Sequence, residues 1–380
     1  MRVSLDVTAV PATPAGAGRY TVELAAAIAA RGDPELVMVA RRRDGPRWRA
    51  LEGAHSDVVC AAPSARPLRL AWEQLVLPAL LRRTRPDVHH GPHYTMPGRS
   101  PIPVVVTVHD CTFFDHPEWH ERSKVLLFRR AIALAARRAA AVICVSETTA
   151  RHLAALCTVT VPVVVAPHGV DHARFVPVAP APGTDERTLR ALGLDAGRPT
   201  VVFVGTVEPR KDVASLVRAF AQVADEEPDA VLVIAGRRGW GTAPVEAALA
   251  EAQRFRDRML WTGYVHDDAV PALLRTAAVV AYPSLAEGYG LPALEALACG
   301  APLVTTAGTA MAEMAGGAAT LVAPGDVDAL AGALLGVLRA GRTDPAVAER
   351  RRLGLAVAAE RTWEASAQRH VEAYRLAAGA

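Results

Sequence analysis

The feature that most narrows the fold of this chain is a twice-repeated alternation. Short β-branched runs are separated by longer Ala-, Leu- and Arg-rich segments throughout its 380 residues. The first half reads as strands at Val3–Val7, Leu36–Ala40, Val58–Cys60, Val104–Val108, Ala141–Val145 and Val163–Ala166. Helical patterns lie between them at Gly18–Arg31, Leu70–Arg83, Arg122–Arg138 and Glu147–Leu156. The scheme restarts with strands at Thr200–Val204, Ala230–Ala235, Leu260–Thr262, Val279–Tyr282, Leu303–Thr305 and Ala319–Val322. Its helices are read at Val213–Glu227, Val245–Arg256, Asp268–Thr276, Leu291–Cys299 and Val327–Arg339. Parallel strands need a crossover, usually a helix, so this pattern predicts an α/β fold with parallel sheets. Two such halves predict two Rossmann-like, doubly wound domains with a cleft between them.

The break falls near Phe175–Gly197, whose first nine residues hold three prolines and a glycine. That stretch cannot continue a helix and suits an extended linker. The expected division is a first domain over 1–175, a linker over 176–197 and a second domain over 198–361. A terminal helix over 362–380 has no strand after it and is a candidate to return to the first domain.

Composition removes several function classes. A net charge of +3 argues against a strongly basic nucleic-acid binder, so no nucleic-acid partner is expected. The charge is uneven, however: 22 basic and 15 acidic residues occur up to Arg174, against 20 and 24 in the remainder. The first domain is therefore a candidate for peripheral contact with an anionic membrane, although a merely solvated surface explains the excess equally well. The Arg41–His55 and Arg85–Arg99 loops carry no readable acceptor code. Five scattered cysteines without a C-x-x-C spacing fit neither a disulfide framework nor a zinc site. No apolar run has the length of a membrane span or the form of a signal peptide, so a cytoplasmic protein is expected. H-E-x-x-H and G-x-S-x-G are absent. His89, His90 and His93 lack a carboxylate or cysteine at ligand spacing, so no metal site is expected.

Four stretches carry candidate chemistry. The first runs Pro283-Ser-Leu-Ala-Glu287-Gly288-Tyr-Gly290-Leu291-Pro292-Ala-Leu-Glu295, directly after a strand. Gly288 and Gly290 let the backbone approach a ligand, and Pro292 suits the first turn of a helix. The N–H groups opening that helix suit phosphate oxygens. Glu287 and Glu295 can each accept paired hydroxyls, or they are simply solvated. The second, Gly205-Thr-Val-Glu-Pro-Arg210-Lys211-Asp212, places two cations at the carboxyl end of a strand, where open α/β sheets bind ligands. Only Lys124 and Lys211 are lysine among 42 basic residues, so a compact ammonium at 211 is notable. The third, Gly16-Ala-Gly18-Arg-Tyr20, gives either a plain turn or a glycine loop at a helix N-terminus. It fails as a dinucleotide fingerprint because Thr21 stands where a third glycine belongs. In the fourth, His109-Asp110 ends a strand, where an imidazole could bind a hydroxyl or tune a reacting centre.

Together and in this order, these stretches resemble the family 4 retaining glycosyltransferases with the GT-B fold. Val145-Ser-Glu147 and His168-Gly-Val-Asp171 add to the resemblance, and the spacing of Glu287 to Glu295 matches the family's E-x7-E motif. The resemblance implies sugar transfer from a nucleotide-diphosphate sugar to an acceptor hydroxyl with retained configuration. The family mechanism is usually described as front-face attack, in which the leaving phosphate helps to deprotonate the acceptor. It also implies no cofactor and no divalent metal. Arg210 and Lys211 would neutralise the donor diphosphate, Glu295 would hold the ribose, and Glu287 would hold sugar hydroxyls. The N–H groups around Gly290 and Leu291 would meet phosphate and sugar, with Gly205 and Gly288 in the same donor-binding set. His109 would lie near the reacting carbon, and Gly16 and Gly18 would let the first domain close over the phosphate. The run from His109 to Glu118 resembles the branch rich in bacterial mannosyltransferases of polysaccharide assembly. This makes GDP-mannose the first donor to consider, a glycan or lipid-linked molecule the acceptor, and the inner face of the membrane a candidate location. The family often has Asn in place of His168 and of Asp212. A nucleotide-sugar 2-epimerase and a non-catalytic nucleotide-sugar-binding subunit share the architecture and remain alternatives.

Overall fold

The computed structural model describes residues 1–51 and 55–379, so residues 52–54 of the Arg41–His55 loop and residue 380 of the tail lie outside the described residues. The chain divides into two compact units. One comprises Met1–Gly169 together with Trp363–Ala380, and the other Val170–Thr362.

The first unit is built on seven strands: β1 (Arg2–Asp6), β2 (Glu35–Arg41), β3 (Ser56–Ala62), β4 (Val88–Gly91), β5 (Val104–Val108), β6 (Ala141–Cys144) and β7 (Val163–Val165). They pair in parallel in the order β3-β2-β1-β4-β5-β6-β7. β5 is buried along its whole length, as a central strand covered on both faces must be. Strand order reverses between β1 and β4, and that reversal marks where a doubly wound sheet opens to ligands.

β4 is the strand that sequence reasoning did not predict. Its four residues, Val-His-His-Gly, show no β-branched run. The strand is held by specific polar contacts instead. His89 Nδ1 lies 3.1 Å from Ser4 Oγ on β1, whereas His90 faces the opposite side. The two imidazoles therefore point apart and are committed elsewhere. Gly91 is obligatory, since a Cβ there would stand 2.3 Å from Thr95 O.

The expected helix Leu70–Arg83 is two helices, Arg66–Leu75 and Leu77–Thr84. Pro78 has no N–H to continue the ladder and starts the second one. The terminal helix Trp363–Ala378 belongs to the first unit and packs against the helix Ala17–Arg31. A fully buried chain of hydrogen bonds joins it to β4 and β5. His370 Nδ1 donates to Ser366 O (2.7 Å), which leaves Nε2 to accept from the Tyr20 hydroxyl (2.8 Å). Tyr20 then accepts from Thr107 Oγ1 (2.9 Å), Thr107 accepts from His90 Nε2 (2.8 Å), and His90 Nδ1 accepts from Tyr374 (2.8 Å). The four ring nitrogens and the Tyr20, Thr107 and Tyr374 hydroxyls are all engaged with both imidazoles neutral. Burial pushes the pKa of both rings down, which agrees with that assignment.

The second unit has six parallel strands: β8 (Thr200–Val204), β9 (Val231–Ala235), β10 (Met259–Gly263), β11 (Val279–Tyr282), β12 (Leu303–Thr306) and β13 (Ala319–Val322). Their order is β10-β9-β8-β11-β12-β13, with the reversal between β8 and β11. Within the stretch expected to be an extended linker, a helix forms at Thr184–Ala191. A buried bidentate pair fixes it, with Arg275 Nε and Nη2 donating to the two Asp185 oxygens at 2.8 and 2.7 Å. The prolines end before that helix, so they do not oppose it. The helix Pro345–Glu360 was also not predicted. It buries only Val347, Gly354 and Ala358, too few to leave an apolar stripe in the sequence. It packs on the helix Leu291–Ala298, and a Cβ at Gly354 would lie 2.8 Å from Leu297 Cδ2.

Candidate functional site

Because β8 and β11 are neighbours, the loops leaving their carboxyl ends meet. Leu285 N donates to Arg210 O at 2.8 Å, stitching the two loops together. Side chains complete the junction. The Glu287 carboxylate accepts from both Arg210 Nη1 and Lys211 Nζ. Ser284 Oγ lies 3.4 Å from Glu287 Oε1, and Arg210 Nε pairs with Glu208 Oε1 at 2.6 Å. Glu287 and Lys211 are only 6% and 9% exposed, so this is a buried ion cluster. Burial alone would push the Glu287 pKa up, but the adjacent Arg210 and Lys211 outweigh it and hold the carboxyl at about 2. Two cations face two carboxylates, so the cluster is close to neutral before a ligand arrives.

The helix Leu291–Ala298 opens beside this cluster. Gly290 precedes it at φ +97°, and a Cβ there would stand 2.3 Å from Met311 Cγ. Both facts demand glycine, and they leave the first N–H groups of the helix uncovered by a side chain. Leu291 is buried at its start, and Gly288 lies buried in the preceding loop. Glu295 is buried one turn further on, and it and Glu287 both raise the pKa of the buried Tyr282 hydroxyl, whose largest cause is burial. Supports from below hold the loop: Thr305 Oγ1 donates to Tyr282 O (2.9 Å), and Thr306 Oγ1 donates to Ser284 O (2.5 Å).

Gly205 follows β8 at φ +150°, and its carbonyl lies so close to Gly236 that a Cβ on Gly236 would be 1.7 Å away. Sequence reasoning missed Gly236 and Gly239, although the run Gly236-Arg-Arg-Gly-Trp-Gly241 after a strand was a visible signal. Glu208 and Ser284 were likewise passed over inside the quoted motifs. Asp212 adopts φ +47° and caps the helix Val213–Glu226 by accepting from Ser215 N. Asn and Asp both tolerate that left-handed backbone and both cap helices, so the exchange at this position is conservative for a physical reason.

In the first unit, Gly16 (φ +50°) precedes the helix Ala17–Arg31, and Gly18 sits against Pro11. His109 Nε2 donates to Pro92 O at 2.8 Å, so Nδ1 is the acceptor of the neutral ring, and burial pushes its pKa down. The Tyr20 ring joins these features. Its centroid lies 5.0 Å from His109 and 4.7 Å from His168. Neither Tyr20 nor its buried partners on the terminal helix were expected to matter. The structure thus brings Gly205, Arg210, Lys211, Glu287, Gly288, Gly290, Leu291 and Glu295 to one sheet edge of the second unit. Gly16, Gly18 and His109 form a separate group in the first. Among the described residues, no group of three His, Cys, Asp or Glu is placed to hold a metal ion, and no helix is long and apolar enough to cross a membrane.

Two doubly wound α/β units, one with an ion cluster at its strand ends beside a helix N-terminus, define the class of two-domain Rossmann-like proteins. Comparison with known proteins makes the class specific. Residues 184–353 match the description of Glycosyl transferases group 1, and residues 14–174 match Glycosyltransferase Family 4. The 2-deoxystreptamine N-acetyl-D-glucosaminyltransferase of Streptomyces fradiae is 32% identical over 98% of this chain and 94% of its own. The O-antigen chain mannosyltransferase B of Escherichia coli is 29% identical over 82% of this chain and 78% of its own. Sucrose-phosphate synthase from Thermosynechococcus elongatus shares the fold, with a TM-score of 0.78, 21% identity and 98% coverage of both chains. The chain therefore belongs to the family 4 glycosyltransferases and has the GT-B fold.

Proposed function

We propose that this glycosyltransferase moves a hexose from a nucleotide-diphosphate sugar to an acceptor hydroxyl with retained anomeric configuration and without a divalent metal. The observation that carries the reading is the buried Arg210–Lys211–Glu287 cluster beside the N-terminus of Leu291–Ala298. Breaking the bond from anomeric carbon to phosphate leaves negative charge on the diphosphate. Arg210, Lys211 and the helix N–H groups stabilise that charge, each worth more in a dry site than in water. Glu287 keeps the two cations in place before the donor arrives. Each Glu287 oxygen accepts from one of the cations, and its remaining lone pairs and the Glu295 carboxylate are acceptors for sugar and ribose hydroxyls. A departing phosphate can take the acceptor proton, so no strong base is required of the protein.

Mannose is the first sugar to test and GDP-mannose the first donor, in view of the similarity to an O-antigen chain mannosyltransferase. A glycan or lipid-linked acceptor at an anionic membrane fits the exposed Leu68, Leu75, Val76 and Leu126 beside the basic excess of the first unit. Liposome co-sedimentation indifferent to lipid charge contradicts that location. The reaction itself is tested with a panel of GDP-, UDP-, dTDP- and ADP-sugars in the presence of a chelator. Nucleotide release from one donor, with product of unchanged anomeric configuration by proton NMR, supports the proposal. Release that requires added metal, or inverted product, overturns it.

A further inference from the structure

His109 follows β5 directly and is the imidazole that the family resemblance places near the reacting carbon. Its Nε2 donates to Pro92 O, which fixes one edge of the ring and leaves the tilt to packing. Tyr20, Tyr94 and His93 meet the imidazole in T-shaped contacts, with centroids 5.0, 5.5 and 5.9 Å away. Tyr20 is itself held from two sides. Its hydroxyl donates to His370 Nε2 on the terminal helix at 2.8 Å and accepts from Thr107 Oγ1 at 2.9 Å. Thr107 lies two positions before His109, so the two share one face of the strand run. Tyr20 also meets His168, with centroids 4.7 Å apart. His168 in turn stacks at 5.8 Å on Trp363, the first residue of the terminal helix. The terminal helix thus reaches Tyr20 twice. Tyr20 and His370 are fully buried, so bulk water does not replace a bond lost between them.

We infer that Tyr20 and His370 are positioning residues for sugar transfer, acting through His109. The terminal helix fixes the Tyr20 hydroxyl, and the Tyr20 ring fixes the tilt of the His109 imidazole, whose Nδ1 is the acceptor atom. A substrate hydroxyl that donates to Nδ1 follows the ring, and a misplacement of about 1 Å costs up to roughly a hundredfold in rate. The last helix is then part of the reaction's geometry, although neither Tyr20 nor His370 touches a reacting atom. The inference rests on the transferase reading and on the place of His109 within it. A purely structural network would lower the melting temperature of variants and leave the turnover of the folded protein alone.

The test measures kcat and KM for nucleotide release, on the nucleotide sugar that the chain hydrolyses, well below each melting temperature. The variants of the full chain are Tyr20→Phe, His370→Leu, His370→Gln, His109→Ala and the pair Tyr20→Phe with His109→Ala. In His370→Gln the amide oxygen can still accept from Tyr20. The expected kcat is roughly tenfold or more lower in Tyr20→Phe and His370→Leu with KM little changed, and it recovers in His370→Gln. Adding Tyr20→Phe to His109→Ala lowers kcat no further, since the pair acts as one unit. The parent's kcat in folded Tyr20→Phe and His370→Leu overturns the inference, as does a Tyr20→Phe loss that persists in the His109→Ala background. Ring nitrogen NMR of His109 gives a readout that needs no turnover. An Nε2-protonated ring in the unaltered chain that becomes a tautomer mixture in His370→Leu supports the inference. The same signals in both proteins, or an Nδ1-protonated ring in the unaltered chain, overturn it. If His109→Ala keeps the parent's turnover, the placement of His109 falls and the inference with it. Loss confined to His109→Ala refutes only the inference, whereas a folded chain that binds no nucleotide sugar refutes the transferase reading beneath it.

Discussion

At the scale of single residues, charge pairing decides the behaviour of the candidate donor site. Glu287 compensates two cations that are largely out of water, so Glu287→Gln leaves Lys211 buried with no carboxylate of its own. Removing one partner of a buried pair costs about 3–5 kcal/mol, which denaturant unfolding of the second unit would read directly. The buried imidazoles give a second test. Burial pushes His89, His93 and His370 down to about 4, against a usual value of 6.5. Between those values the unfolded chain binds protons that the folded chain refuses, so stability falls as pH drops through that window. Each ring contributes up to about 1.4 kcal/mol per pH unit. Glu73 acts oppositely, since burial raises its carboxyl to about 7 and stability is lost as pH rises from 4.5 to 7. Three groups outweigh one, so the melting temperature is expected to decline from pH 6.5 to 4.5. A flat or rising profile there contradicts the neutral assignment of the imidazoles. The motif residues were legible because consecutive side chains carry them: Arg210 with Lys211, and Glu287 eight positions before Glu295. The Tyr20–His370 contact spans 350 positions, and nothing local announces it.

At the scale of elements, strands with β-branched runs were legible and those built from polar contacts were not. Val104–Val108 and Thr200–Val204 coincide with their predicted bounds. β4 escaped because its two imidazoles are stabilised by partners far away in sequence. The helix Pro345–Glu360 escaped because half-covered surface helices leave little periodicity. The loop–helix element at Gly290 yields a sharper prediction. Gly290→Ala places a Cβ 2.3 Å from Met311 at a backbone angle that L residues avoid, which costs on the order of 1–3 kcal/mol beyond the clash. Adding Met311→Ala removes the clash but not the backbone strain. The double variant is therefore expected to regain part, and only part, of the lost nucleotide affinity. Full recovery by calorimetric titration contradicts a role for the left-handed turn.

At the scale of the whole molecule, chain order and folding units differ, because the last helix belongs with the first 169 residues. Truncation after Thr362 removes His370 and Tyr374, so the Tyr20 hydroxyl and His90 Nδ1 each lose one partner and keep only Thr107 on the other side. Each buried donor or acceptor left unmet costs about 1–3 kcal/mol, in addition to the apolar surface exposed. The truncated chain is expected to lose the first unit's cooperative melting while the second unit's transition persists; two intact transitions refute that dependence. The overall α/β class was legible from alternation alone, and the family from its motifs. The helix at Thr184–Ala191 was not, because the Arg275 that pairs with the buried Asp185 lies 90 positions away.

The central claim is that Lys211 and its neighbours stabilise charge on a departing nucleotide diphosphate. Its most direct test compares nucleotide release by the unaltered chain and by Lys211→Ala on the same nucleotide sugar, with melting curves alongside. The account predicts turnover lower by roughly a hundredfold or more in the variant, with the fold retained because Arg210 still pairs with Glu287. Equal rates from the two folded proteins contradict it.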